Sequence, residues 1–201
     1  MPPWMESICS DWLHVQPFLK RLQQVYEEMD AAYAAAADAY GFHCNGCRDN
    51  CCLTRFYHHT AAEVLYLLEG YRQMPAERRR AIAVRAAAVC RESASTEARG
   101  ETPRVMCPLN EGDRCVLYER RPMICRLHGI PHELHRPGRQ VLRGPGCEAF
   151  SDQCGEAVYH CFDRTPFYVK MAGLEQELRQ SFGGSERIRM TVAEMIVAFG
   201  G

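Results

Sequence analysis

No stretch of the 201-residue sequence approaches the ~18–20 consecutive apolar residues that a membrane-crossing helix needs. Its first residues, MPPWMESICSDW, lack the basic-then-apolar order of a secretory leader. Neither charge sign dominates: 24 Lys and Arg stand against 25 Asp and Glu, so the broad basic footprint of a nucleic-acid binder is missing. Charge blocks, low-complexity tracts, internal repeats and Gly/Ser-rich linkers are absent as well. With 47% hydrophobic residues, the chain is expected to form one ordered domain over residues 1–201. No nucleophile elbow, phosphate loop, dinucleotide fingerprint or HExxH motif occurs, so no catalytic residue is assigned. These absences point to a soluble cytoplasmic protein whose partner is neither a membrane nor a nucleic acid.

Cysteine, in contrast, is plentiful, with twelve in the chain. In a reducing compartment they are expected to stay out of disulfides. Thiols in that number are usually held by metal. Ten of them fall into clusters, and Cys9 and Cys90 stand apart in helical surroundings, where small buried thiols are expected.

Apolar periodicity predicts a mainly α fold, with helices around an irregular, cysteine-rich metal-binding centre. Trp12, Val15, Leu19, Leu22, Val25, Tyr26 and Met29 recur at three- and four-residue steps, which predicts a helix over residues 11–39. Ser10 is its expected N-cap and Gly41 its stop. Its Ala-rich half offers a face to another subunit. Thr60 and Glu63 form a capping-box pattern ahead of Val64–Leu68. Pro75 opens a third helix, reaching about Ser95, with Ile82, Val84, Ala88 and Val89 on its apolar side. Further helices are expected over 166–182 and from Thr191, where Glu194 completes a second capping box. Between residues 95 and 164 the periodicity fades, and burial alone is not expected to hold that segment. The cysteine-cluster core is therefore drawn over 42–161, with helical extensions at 10–41 and 164–201.

The densest motif is Cys44-Asn45-Gly46-Cys47-Arg48-Asp49-Asn50-Cys51-Cys52. Cys44 and Cys47 have the C-x2-C spacing by which zinc ribbons and iron–sulfur proteins grip a metal from a tight turn. Adjacent side chains such as Cys51 and Cys52 diverge, which suggests two centres, or one centre and a spare thiol. A second group follows: Cys107-Pro108-Leu109, Gly112-Asp113-Arg114-Cys115, then Tyr118-Glu119-Arg120-Arg121-Pro122-Met123-Ile124-Cys125-Arg126. Cys147, Cys154 and Cys161 come after it at intervals of seven.

Taken in order, these motifs resemble the YkgJ-like cysteine-cluster family, whose zinc- or iron-chelating domain is written CxxCxxCC. The resemblance spans about residues 42–147, and departs from the pattern in having three residues between Cys47 and the double cysteine. It implies a metal or iron–sulfur site built from about eight cysteines, here Cys44, Cys47, Cys51, Cys52, Cys107, Cys115, Cys125 and Cys147. Cys154 and Cys161 are less favoured ligands. Flagellin lysine methylases are similar in their cysteine-rich region, but nothing in this sequence marks a methyl-donor pocket.

All-thiolate ligation suits zinc and iron–sulfur clusters alike. Ligands spread at intervals of eight and ten, as in Cys107, Cys115 and Cys125, fit a polymetallic cluster better than one ion. The first expectation is one or two iron–sulfur clusters, of the 4Fe–4S type, with an electron-transfer or redox-auxiliary role and a protein redox or assembly partner. The alternatives are a zinc-stabilised interaction module, and an iron–sulfur enzyme with an open iron position. Seven arginines against three acids between Asp113 and Arg143 are suited to offset a thiolate-bound cluster. A plain solvated surface, with Glu119 and Arg121 paired, explains them equally. His58, His59, His128, His132 and His135 are read as hydrogen-bonding or exposed residues, not ligands. Phe56, Tyr57, Tyr159, Phe162, Phe167 and Tyr168 are expected to wall the centre from solvent.

Overall fold

The computed structural model describes residues 3–44 and 51–200. Among them, eight helices run α1 (Pro3–Ser10), α2 (Trp12–Tyr40), α3 (Ala61–Arg72), α4 (Ala76–Ala98), α5 (Met123–Leu127), α6 (Glu148–Cys154), α7 (Thr165–Ser181) and α8 (Val192–Phe199). Two small antiparallel pairs join them: β1 (Asn110–Glu111) with β2 (Arg114–Cys115), and β3 (His132–Leu134) with β4 (Leu142–Gly144). The chain is mainly helical, as its periodicity predicts. None of the described helices is long and apolar enough to cross a membrane.

Helix α3 is the centre of the packing. Every residue from Ala61 to Leu68 is buried, because α2, α7 and α8 all pack against it. The stripe Val15, Leu19, Leu22, Tyr26 and Met29 of α2 is buried too, and α2 also meets α5 and α7. Around this core, α4 lies against α8. Its apolar side is narrower than its sequence suggests: Ile82 and Ala86 are buried, whereas Val84 is largely exposed.

Helix boundaries follow their capping chemistry, with three corrections. Asp11, not Ser10, caps α2 by accepting the His14 N–H, while Ser10 Oγ turns back to the Ser7 carbonyl of α1 at 2.8 Å. Helix α1 itself carries no motif that announced it. Pro75 stands just ahead of α4, which continues to Ala98. At α3 the Thr60 hydroxyl accepts the Glu63 N–H, yet the Glu63 carboxylate does not close the box. It accepts the Thr60 hydroxyl and the Met123 N–H instead, at 2.8 and 3.0 Å, and so holds the first turn of α5. The expected box does close at α8, between Thr191 and Glu194. Thr191→Ala is expected to lower the stability by about 1 kcal/mol in chemical denaturation, since it orphans one helix N–H.

The segment between residues 100 and 164 is less irregular than its composition predicts, because short local devices order it. Gly112 and Asp113 both take left-handed conformations, φ 58° and 62°, forming the two-residue turn that suits the twist of β1 and β2. Gly112 is the residue type that accepts this at least cost.

Candidate functional site

Each cysteine motif owes its position to a distinct local element. Cys51 and Cys52 open a 3-10 turn. The Cys107 N–H donates to the Cys52 carbonyl at 2.9 Å, which brings the first motif beside the second. The Gly112-Asp113 turn sends the chain back along β2, with Cys115 paired opposite Asn110. Pro122 precedes α5, on which Cys125 lies, and Cys147 is the N-cap of α6. The Cys147 N–H donates to the Gly129 carbonyl at 2.8 Å. Gly146, at φ 91°, permits this approach, since a Cβ there would sit 2.8 Å from the same carbonyl oxygen.

These elements surround one cavity of about 820 Å³. Seven of the eight expected ligands line it: Cys44, Cys51, Cys52, Cys107, Cys115, Cys125 and Cys147. The eighth, Cys47, lies outside the described residues. Arg121 also lines the cavity, with its guanidinium 3.4 Å from the Tyr118 ring centroid and its Nε donating to the Tyr118 carbonyl at 2.8 Å. The surface pairing with Glu119 considered for Arg121 does not occur.

The thiols feel one another. Burial raises Cys125 well above the usual thiol range, and the negative charges that Cys107, Cys115 and Cys52 would carry raise it further. Burial likewise lifts Cys107 to about 12 and raises Cys115. Cys52 moves the other way, because Cys51 hydrogen-bonds to it and the Arg121 charge favours its thiolate. Arg121 also works against burial at Cys115 and Cys125, so its charge acts on several walls of the cavity.

No three His, Cys, Asp or Glu side chains among the described residues come together closely enough to hold a metal ion. Four thiolates on one zinc would stand roughly 3.8 Å apart, given Zn–S bonds of about 2.3 Å.

Other expectations fall elsewhere. Cys154 Sγ donates to the Tyr40 carbonyl at 3.4 Å and faces a second cavity, beside Tyr159. Cys161 is exposed and interacts with Glu133. Neither reaches the main cavity: α6 carries Cys147 and Cys154 at its opposite ends, so the seven-residue interval does not align them on one site. Of the six aromatics expected as a wall, Phe56 alone lines the cavity. Phe162 and Phe167 belong to the core, and Tyr57 stacks with Arg55 and Arg189. Tyr118 lines the cavity in their place.

His58 and His128 contribute ring surface to the cavity, while His59 is exposed. Cys90, read from sequence as a packing residue, also lines the cavity, from α4. Its signal was positional: Ser93 and Glu97 share its helical face at steps of three and four, and both line the same space. No protein-family model, curated protein or solved structure matches the chain.

Proposed function

We propose that the cysteine-lined cavity holds one or two iron–sulfur clusters, of the 4Fe–4S type, and that the protein serves in electron transfer or as a redox auxiliary in the cytoplasm. The observation that carries the proposal is the convergence of Cys44, Cys51, Cys52, Cys107, Cys115, Cys125 and Cys147 on one cavity from separate turns, hairpins and helices. Cys47 completes the ligand set by its place in the first motif. A 4Fe–4S cluster takes four cysteine ligands, so eight thiols are enough for two such clusters. The motif order that resembles the YkgJ-like family supports the same cofactor class.

When bound, such a cluster supplies one-electron chemistry. The residues of the chain bind it, set its environment and limit its contact with water. Arg121 offsets the negative charge of the thiolates, as it already does at Cys52. Glu63 and Arg126 hold the segment that bears Cys125. Thiols raised by burial release their protons when they ligate, so loading is accompanied by proton release.

Anaerobic purification, with absorbance spectra and parallel iron, zinc and sulfide analysis, tests the proposal. The expected protein is brown, with matched iron and sulfide. Cys115→Ser and Cys125→Ser are expected to bleach it, while Cys154→Ser keeps its colour. Unchanged absorbance in both ligand variants would remove the ligand assignment. A colourless protein with stoichiometric zinc and no sulfide, given adequate iron, would make it a zinc-stabilised module instead.

A further inference from the structure

The hairpin of β3 and β4 presents its tip to solvent: residues 135–143 are an unbroken run of exposed positions. That run holds Arg136, Arg139, Arg143 and His135 and no acidic residue. At the tip, the Arg139 N–H donates to the Arg136 carbonyl at 3.1 Å and closes a tight turn. Pro137 presets its first corner, and Gly138 takes the left-handed second corner at φ 67°. Such a turn holds the Cα atoms of Arg136 and Arg139 within about 7 Å of each other. Arg143 pairs with Glu133, whereas Arg136 and Arg139 have no acidic partner among the described residues.

Apolar side chains stand exposed beside these charges. Of the nine large hydrophobic residues exposed among the described residues, four are here: Val141, Leu142, Val158 and Tyr159. The last two come from another segment, but Tyr159 and Arg143 line the same small cavity, so the two segments lie side by side. Arginine mixed with exposed aromatic and aliphatic groups is the composition of a protein–protein contact. The base of the hairpin leads to the cysteine-lined cavity. Gly129 and Cys147, joined by their 2.8 Å hydrogen bond, both line it. Cys147 follows the end of β4 by three residues, a span of at most about 11 Å.

We propose that the β3–β4 hairpin docks a small acidic protein, whose carboxylates meet Arg136 and Arg139 and whose apolar centre covers Val141, Leu142 and Val158. The docking surface stands on the hairpin alone; that the partner is an electron carrier rests on the cluster proposed above. Opposite charges speed such an encounter, and a small contact allows the partners to separate after each transfer. A nucleic-acid strand suits the surface less. It carries a charge about every 3.4 Å and would run onto Glu148 and Asp152 of α6, the helix that borders the same small cavity.

Calorimetric titration of the anaerobically purified chain with an acidic plant-type ferredoxin, and separately with basic cytochrome c, tests this. Ferredoxin is expected to bind saturably at low salt, and about tenfold or more weakly at about 0.3 M salt. Cytochrome c is expected not to bind. Replacing both Arg136→Glu and Arg139→Glu is expected to weaken ferredoxin by about tenfold or more. Val158→Ser is expected to weaken it about threefold while leaving the salt dependence unchanged. Lack of saturable ferredoxin binding, equal binding of cytochrome c, unchanged affinity in the double variant, or tighter binding of a single-stranded oligonucleotide would each overturn the proposal. Iron and sulfide analysis of the same samples separates it from the cluster reading. A brown protein that does not bind ferredoxin loses the docking surface. A colourless protein that binds it keeps the surface and loses the cluster, and with it the electron-carrier role of the partner.

Discussion

Arg126→Ala is expected to lower the folding stability by about 2–4 kcal/mol, from two carbonyls left without a donor and a space opened beside a buried ring. The side chain is 3% exposed. Its Nε donates to the Arg121 carbonyl at 2.7 Å, Nη1 donates to Asp30 at 2.5 Å, and Nη2 donates to the Glu119 carbonyl. The guanidinium also lies 4.2 Å from the centroid of the buried Tyr26 ring. One residue thus ties the 118–121 turn to α2 while sitting next to Cys125. Alanine would leave two carbonyls unsatisfied and a space beside Tyr26. Lysine offers a point charge in place of the planar fork, so Arg126→Lys is expected to recover less than half of the loss. Urea denaturation of the three proteins measures both effects. A loss below about 1 kcal/mol for alanine would show that the network is not a major support of the fold.

A second large effect is expected at Glu175, and it depends on pH. This α7 residue is 8% exposed, and its carboxylate accepts the N–H groups of Ala61 and Ala62 at the start of α3, at 2.8 and 3.3 Å. Burial pushes its carboxyl up to about 7 from an ordinary value of 4.5, although those N–H groups and Arg179 pull it down. Between these two values the folded chain keeps a proton that the unfolded chain has released. Stability from this group is therefore fully present below about pH 4.5 and lost as pH rises through about 7, by on the order of 3 kcal/mol. Glu175→Gln keeps an oxygen for the α3 N–H groups and removes the titration. The difference in stability between variant and wild type should be small at pH 5 and favour the variant by that amount at pH 8. A difference that stays flat across this window would show that Glu175 remains charged in the fold.

Several features of this architecture were legible from residue spacing. Long amphipathic helices announce themselves because their apolar period is sustained over many turns, as along Val15–Met29. Gly41 and Thr191 read correctly because stops and caps are matters of local backbone chemistry. The capping pattern at Thr60 read half correctly: the hydroxyl caps α3, but the Glu63 carboxylate is taken by Met123, sixty residues away. No local pattern contains that competitor. Similarly, Val84 is exposed because only one neighbouring helix, α8, covers much of α4, so an apolar step along the chain does not become a buried face.

At the cavity the division is sharper. The cysteine motifs named seven of the thiols that line it, because tight cysteine-bearing turns are short, recognisable combinations of Cys, Gly and Pro. The same reasoning spread the candidates to Cys154 and Cys161 and left Cys90 out, since the interval between two cysteines does not say which side of a helix or loop faces a common space. That was resolved by long-range contacts: the Cys107 N–H on the Cys52 carbonyl, the Cys147 N–H on the Gly129 carbonyl, and the Arg126 network that joins α5 to α2. Local propensity is a property of adjacent residues and can be read along the chain. A cavity is defined by residues that have nothing in common except the packing that brings them together.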